Sequence, residues 1–289
     1  MGEVTLFSPA KTNLFLNVLS KRLDGYHDIQ TLFERLDLGD TVRLESIPFG
    51  IELRVSGEEK IPTESTNLAW RAAKLLQETC AIQRGVRIRI WKRIPVSAGL
   101  GGGSSNAATV LLGLNRLWNL GLSQKKLMAL GAQLGSDVPF FILQTPLALG
   151  SGRGEFLKKI NPPSKKIWHC FIKPPFKIST KQAYAGLPGH LLTAKKVNVK
   201  ILLHSIQIGD REALSNLLTN SLELALTKRV KTIFKIKKEL LGEGALGAIL
   251  SGSGSCVFGL FSSKREALKA ARHLKSAHKN WKVFVASMY

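Results

Sequence analysis

Alternating apolar and polar side chains mark the strands of this chain, and a wider spacing marks its helices. Val4–Ser8 and Asn13–Leu19 read as strands, with Leu14, Leu16 and Val18 on one face, around a turn at Pro9-Ala10-Lys11-Thr12. Thr41–Ile47 and Ile51–Val55 alternate again, and Pro48-Phe-Gly50 between them reads as a hairpin turn. Thr66–Leu76 has helical spacing, capped by Ser65 or Thr66. Val86–Trp91 is a further strand, and Ser123 caps a short helix to about Leu134. Beyond it come a strand at Ile167–Ile172, a loop at Lys173–Tyr184, and helical patterns at Val199–Ile206, Arg211–Leu218 and Lys228–Leu241. Gly247–Phe261 reads as strand, tight glycine turn, strand; Ser263 caps a helix at Lys264–Lys275, and Lys282–Ala286 is a final strand. Strands mixed with helices in hairpin order predict an α+β fold rather than a doubly wound parallel sheet. Pro162-Pro163 is the best break, giving domains of residues 1–160 and 161–289.

Composition narrows the class. The chain has 289 residues, 44% hydrophobic and 21% charged, which is ordinary for a soluble globular protein. The uncharged run Ile94–Asn115 is long enough to span a bilayer but too rich in Gly, Ser and Asn to do so, and no basic leader precedes the first strand. A cytoplasmic protein without membrane contact is expected. Cys80, Cys170 and Cys256 are odd in number and far apart, so buried thiols are expected rather than a metal site or disulfides. The net charge of +22 is uneven: residues 1–150 hold 17 Lys and Arg against 13 Asp and Glu, and residues 151–289 hold 25 against 7. Such a half is basic enough to bind nucleic acid. Its lysines, however, fall mainly on polar helix faces, as in 228–241, where Val230, Ile233, Phe234, Leu240 and Leu241 can turn to a core. A solvated face that also attracts polyanionic metabolites is the simpler reading.

The chemistry centres on Pro95-Val-Ser-Ala-Gly-Leu-Gly-Gly-Gly-Ser-Ser-Asn-Ala-Ala108, which follows a strand and opens an apolar helix. Glycine lets a ligand approach the main chain, and the first turn of a helix carries unpaired N–H groups and partial positive charge. Together they suit a phosphate. Ser104 and Ser105 can cap the helix, bond a phosphate oxygen or ligate Mg²⁺. No Lys follows the last glycine, as a P-loop requires, and Ser104 stands where a dinucleotide fingerprint needs its third glycine. Lys11 suits a charge aimed at a phosphate or alkoxide, and equally a turn facing solvent. Asp137, the only acid between Glu78 and Glu155, precedes an apolar run and fits a helix cap or a general base.

Taken together, Pro9-Ala-Lys-Thr-Asn-Leu14, Gly99-Leu-Gly-Gly-Gly-Ser-Ser105 and Leu250-Ser-Gly-Ser-Gly-Ser-Cys256 resemble, in order, the three motifs of the GHMP kinases, a family of small-molecule kinases. Gly135-Ser-Asp-Val-Pro-Phe-Phe141 is a fourth match. The resemblance runs from residue 5 to about 262 and is weakest over 185–245. It implies a two-domain α+β GHMP kinase fold: an N-terminal ribosomal-protein-like nucleotide-binding domain and a C-terminal ferredoxin-like α/β sandwich domain. It implies ATP and Mg²⁺, with the nucleotide phosphates on Pro95, Val96, Ser97, Ala98, Gly99, Leu100, Gly101, Gly102, Gly103, Ser104 and Ser105. Asp137 would take the acceptor's proton, with Lys11 keeping that carboxylate ionised, and Gly252, Ser253 and Gly254 would close over the phosphates. Asp24-Gly-Tyr-His27 resembles the branch that acts on diphosphocytidyl methylerythritol in the non-mevalonate isoprenoid route. There Tyr26 and Tyr184 would flank the cytosine, His27 would bond its edge, Asn13 would reach the substrate near the transferred phosphate, and Thr180 would line the pocket. Ser97 and Ala98 stand where extra glycines occur in relatives, which stiffens the front of the loop. The acidic Mg²⁺ ligand of other branches has no clear counterpart, leaving the ion to ATP oxygens, water and Ser104 or Ser105. The expected state is a monomer or weak homodimer without nucleic acid. Two alternatives remain: a kinase of mevalonate, homoserine or a sugar, against which Gly25-Tyr26-His27 argues, and a basic RNA-binding protein, which leaves the glycine loop unexplained.

Overall fold

Side chains of both parities are buried along the first strand, and this changes the start of the fold. The computed structural model describes residues 2–59, 61–187, 197–226 and 229–289. In it β1 (Glu3–Lys21) runs unbroken through Pro9-Ala10-Lys11-Thr12, and every residue from Ser8 to Val18 is buried. The turn expected there does not form, and the strand is covered on both faces rather than one. Pro9 lacks an N–H, yet it is accommodated because β1 has a single strand partner, β2 (His27–Ile47).

The chain divides into two units, and the division differs from the single break expected at 160/161. One unit is Met1–Lys11, Leu38–Val96 and Gly101–Thr145; the other is Thr12–Asp37, Ser97–Leu100 and Pro146–Tyr289. The cause is strand length. β1 and β2, of 19 and 21 residues, each give one end to either unit.

In the first unit, β4 (Gly85–Trp91) lies between β2 and β3 (Ile51–Ser56), antiparallel to β2 and parallel to β3. Pro48-Phe-Gly50 therefore joins two strands that do not pair with each other. Val86, Ile88 and Ile90 of β4 turn into the core, which fixes its register. On the other face Arg87 stands opposite both Glu45 and Glu52, and its guanidinium reaches them at 3.0 and 2.7 Å. The parallel pair is joined by α1 (Leu68–Thr79), whose cap is Asn67 rather than Ser65 or Thr66: its side chain accepts from Ala69 N–H at 2.9 Å. α2 (Gly102–Leu117) packs on α1, α3 (Gln124–Leu134) and α4 (Val138–Leu143). Ala72, Ala73, Ala107 and Ala108 are fully buried along these helices. Ser123 caps α3 as expected.

In the second unit the first part of β2 pairs with β5 (Leu147–Ser151), and β5 pairs with β6 (Phe156–Ile160). Neither short strand was expected, since five residues are too few for alternation to stand out. A second sheet has the antiparallel order β10-β7-β9-β8, where β7 is Trp168–Lys173, β8 Gly247–Leu250, β9 Val257–Phe261 and β10 Lys282–Ser287. Between β7 and β8 run α5 (Thr180–Ala185), α6 (Val199–Ile208), α7 (Arg211–Leu217), a 3-10 turn at Ser221–Ala225 and α8 (Val230–Gly242); α9 (Lys264–Ala277) joins β9 to β10. This is the ferredoxin-like strand order expected. α5 occupies what read as the end of a loop. Lys228, at the start of the expected helix, lies outside the described residues. α8 buries a narrow stripe of Ile233, Ile236 and Leu240, so Phe234 and Leu241, one position round the helix, stay 56% and 46% exposed.

Cys170 and Cys256 are buried, and Cys80, just past α1, is half-buried. Burial, with Glu243 adding, pushes the Cys170 thiol up to about 12. Burial raises Cys256 as well, against a smaller opposing effect of Lys173. The thiolate is the reactive form. Iodoacetamide at pH 8 should therefore label Cys80 alone in the folded protein and all three thiols in denaturant. Peptide mapping that found Cys170 or Cys256 modified under native conditions would contradict this packing.

Candidate active site

The glycine loop is anchored before it begins. Asp40 on β2 is fully buried and shares its parity with Leu36, Val42 and Leu44. One of its oxygens accepts from the N–H groups of Arg93 and Ile94 at 2.7 and 2.9 Å, fixing the chain as it leaves β4. The other accepts from the Lys92 ammonium and, at 2.9 Å, from the Asn106 amide. Asn106 also donates to Ser8 at 2.9 Å, and Ser8 and Ser105 share a 2.8 Å bond. Removing one member of a buried pair such as Asp40–Lys92 costs about 3–5 kcal/mol, because the other charge is stranded.

The loop then alternates its backbone: Ser97, Gly99 and Gly101 all have positive φ, at 53°, 75° and 67°. Gly101 begins α2 with no side-chain cap, so Ser104 and Ser105 are not caps but lie within the first turn. Ser105 is committed to Ser8, fully buried, whereas Ser104 is half-buried. The uncapped first-turn N–H groups fit an anion. A Cβ on Gly101 would come within 3.0 Å of both Lys11 Cγ and Phe141 Cζ. Lys11 is almost fully buried, and its ammonium is 3.4 Å from the carboxylate of Asp137. Asp137 stands at the start of α4 without capping it, 31% exposed. The first unit thus holds two Asp–Lys pairs with different capacities. Asp40 is filled by four donors and sealed from solvent. Asp137 is partly open to solvent.

In the second unit, the front of the loop is held by the β8–β9 turn. Ser255 and Cys256 donate main-chain N–H groups to the carbonyls of Ser97 and Ala98 at 3.4 and 3.2 Å, and the Ser251 hydroxyl donates to Gly99 O at 3.2 Å. Ser251 also bonds Thr12 at 3.0 Å, and Ser253 bonds Thr180 at 3.0 Å. Asn220 donates to the carbonyls of Leu250 and Gly252 at 2.9 and 2.7 Å. Asn13 is buried and donates to Thr31 at 2.7 Å. The rings of His27 and Tyr184 are 5.2 Å apart, while Tyr26 lies under the guanidinium of Arg153. Burial, then Lys21, lowers the pKa of His27 below the usual imidazole value, so the ring is neutral at pH 7. Among the described residues no cluster of three or more His, Cys, Asp or Glu offers a ready cation site.

Sequence reasoning gave no role to Asp40, Asn106, Ser251 or Asn220. Asp40 had a signal, an acid at an inward position of an alternating strand, and Asn106 and Ser251 lie inside the loop and turn motifs; Asn220 had none short of the fold.

The family model for the GHMP kinases N terminal domain matches residues 67–145, and that for GHMP kinases C terminal matches residues 202–280. The chain belongs to the GHMP kinase family. This GHMP kinase is 41% identical over 279 residues to the 4-diphosphocytidyl-2-C-methyl-D-erythritol kinase of Alkaliphilus oremlandii, covering 96% of this chain and 95% of that one. It is 42% identical over 262 residues to the enzyme of that name from Carboxydothermus hydrogenoformans, covering 91% and 90%. Its fold superposes on a crystal structure of 4-(cytidine 5'-diphospho)-2C-methyl-D-erythritol kinase with a TM-score of 0.84 at 33% identity, covering 98% of each chain. A homoserine kinase from Cytophaga hutchinsonii, at 20% identity and a TM-score of 0.76, shares the fold alone.

The loop geometry of this GHMP kinase separates its glycines. A Cβ on Gly99 would lie 1.9 Å from the Ser251 carbonyl oxygen, whereas one on Gly103 would meet only Leu68 Cδ1 at 3.7 Å. Gly99→Ala should lower activity at least 100-fold or destabilise the fold, and Gly103→Ala should leave thermal stability nearly unchanged. Equal melting temperatures and rates for both variants would show that the loop does not pack this way.

Proposed function

We propose that this chain transfers the γ-phosphoryl group of ATP to the 2-hydroxyl of 4-diphosphocytidyl-2-C-methyl-D-erythritol, giving the 2-phosphate and ADP in the non-mevalonate isoprenoid route. The observation that carries this reading is the Lys11–Asp137 pair beside Gly101 and the uncapped start of α2. Relatives named for this reaction, similar over more than nine-tenths of the chain, support the substrate.

In the reaction the substrate O–H gives its proton to Asp137, its oxygen bonds the γ-phosphorus, and the bond to the β,γ-bridging oxygen breaks. A positioned base contributes about 10²–10⁴-fold. Lys11 holds the carboxylate and offsets negative charge as it develops on the acceptor oxygen. The N–H groups of Gly102, Gly103 and Ser104 bind the phosphates and keep them aligned, which is the larger part of phosphoryl-transfer catalysis. Ser104, rather than the committed Ser105, is the hydroxyl that would hold Mg²⁺, which would further neutralise phosphate charge when bound. Pro95–Leu100 complete the loop around the nucleotide, and Gly252-Ser253-Gly254 close over the phosphates.

Asn13 and Thr180 position the acceptor, and Tyr26, His27 and Tyr184 bind the cytosine. A base stacked on an aromatic ring is worth about 1–3 kcal/mol. Among the described residues no helix is long and apolar enough to cross a membrane. The enzyme works in the cytoplasm as a monomer or weak homodimer, and its partner is the small-molecule substrate rather than nucleic acid.

In a coupled assay with the cytidylated substrate, ATP and Mg²⁺, Asp137→Asn should reduce kcat by about 10²–10⁴-fold. The KM for ATP should stay within about twofold. A near-normal kcat would remove Asp137 from the role of base. The neutral state of His27 gives a second expectation. Because its pKa is lowered, the KM for the cytidylated substrate should stay flat from pH 8 to 6.5 and climb only below that, as the ring gains its proton. His27→Asn should flatten the climb. A rise already complete by pH 6.5 in the parent enzyme would rule out His27 as its source.

A further inference from the structure

Tyr26 is 53% exposed, yet one face of its ring is covered. Arg153 Cζ sits 4.8 Å from the ring centroid. Arg153 belongs to the turn Gly152-Arg-Gly-Glu155 between β5 and β6, and that turn is fixed to β2, which begins one residue after the tyrosine: Ile29 N–H donates to Gly152 O at 2.7 Å. The guanidinium is not loose. Glu155 accepts from Arg153 N–H at 2.6 Å and from Arg153 Nε at 3.0 Å, and the Glu155 side chain is only 14% exposed. On the other side of the pair, Tyr26 N–H donates to Asp24 at 3.1 Å, and Arg22 holds both Asp24 and Asp28. Both the ring and the cation above it are thus tied down by carboxylates.

We infer that Arg153 is a positioning residue for base recognition: it covers one face of Tyr26 and presents the opposite face to a pyrimidine. A planar guanidinium stacks on an aromatic ring and resists being squeezed aside, as a neutral chain would not. It also draws electron density from the ring, which eases stacking of a second π-system on the far face. Glu155 acts one step further back, by holding the guanidinium flat. The inference rests on the kinase reading only for the identity of the base as cytosine.

The test is a double-mutant cycle on Tyr26 and Arg153, read in two ways: steady-state kinetics with the cytidylated substrate, and calorimetric binding of cytidine 5'-diphosphate. Arg153→Ala should raise the substrate KM and the cytidine diphosphate Kd about five- to tenfold. The ATP KM should stay within about twofold, and kcat should fall less than about twofold. Arg153→Lys should recover part of the loss. In a Tyr26→Ala background, Arg153→Ala should add less than about twofold, because it acts through the ring. Multiplicative losses, or no loss in the single variant, overturn the inference. Should the parent protein bind cytidine diphosphate with this coupling but phosphorylate nothing, the kinase reading fails and the positioning role stands. Should it turn over without the coupling, the reverse holds. A parent protein that neither binds cytidine diphosphate nor turns over the substrate overturns both.

Discussion

The candidate site depends on a length of main chain lying where no side chain fits. Gly99 presses against the carbonyl of Ser251, and Gly101 against Lys11 and Phe141. Both hold positive φ. Only glycine meets the two demands together. With the chain that close, the start of α2 has no room or need for a side-chain cap, and its N–H groups stay available to a phosphate. Ser97 shows the same backbone sign with a side chain present, a local strain of order 1–2 kcal/mol. Hydrogen bonds from Ser255 and Cys256 to Ser97 and Ala98 hold that segment in place.

The two lysine–carboxylate pairs near the loop illustrate how burial sorts identical chemistry into different jobs. Asp40 meets four donors and no solvent, and so it acts as a fastener for the strand end at Arg93 and Ile94. Asp137 has one cation at 3.4 Å and partial access to water. The electrostatic partner is the same; what differs is burial and the set of donors around each carboxylate.

Much of the plan was legible in the residues. The glycine loop, the helix after it and the Ser123 and Ser263 caps follow from local spacing and cap chemistry, which act within a few residues, while the ferredoxin-like half was implied by family resemblance. The pairing of Lys11 with Asp137 was implied by family resemblance, and the two residues do come together. What local reading missed shares one cause. Pro9-Ala-Lys-Thr12 carries turn residues, but burial on both faces keeps it extended. Pro48-Phe-Gly50 looks like a hairpin turn, but a third strand with a better apolar face inserts between its arms. Phe234 and Leu241 satisfy a helical pattern, but the sheet beneath α8 accepts only a stripe one residue narrower.

By itself, then, the sequence determined the elements, the phosphate loop and the order of the motifs, because glycine freedom, helix capping and alternation are short-range properties. Only the tertiary structure decided which strand lies beside which, which carboxylate is sealed and which is open, and what stands behind Tyr26. Those outcomes turn on contacts between residues that are distant along the chain, such as Asp40 with Asn106, Gly99 with Ser251 and Tyr26 with Arg153. No local pattern encodes such contacts, since each is set by how whole strands and helices bury their apolar faces.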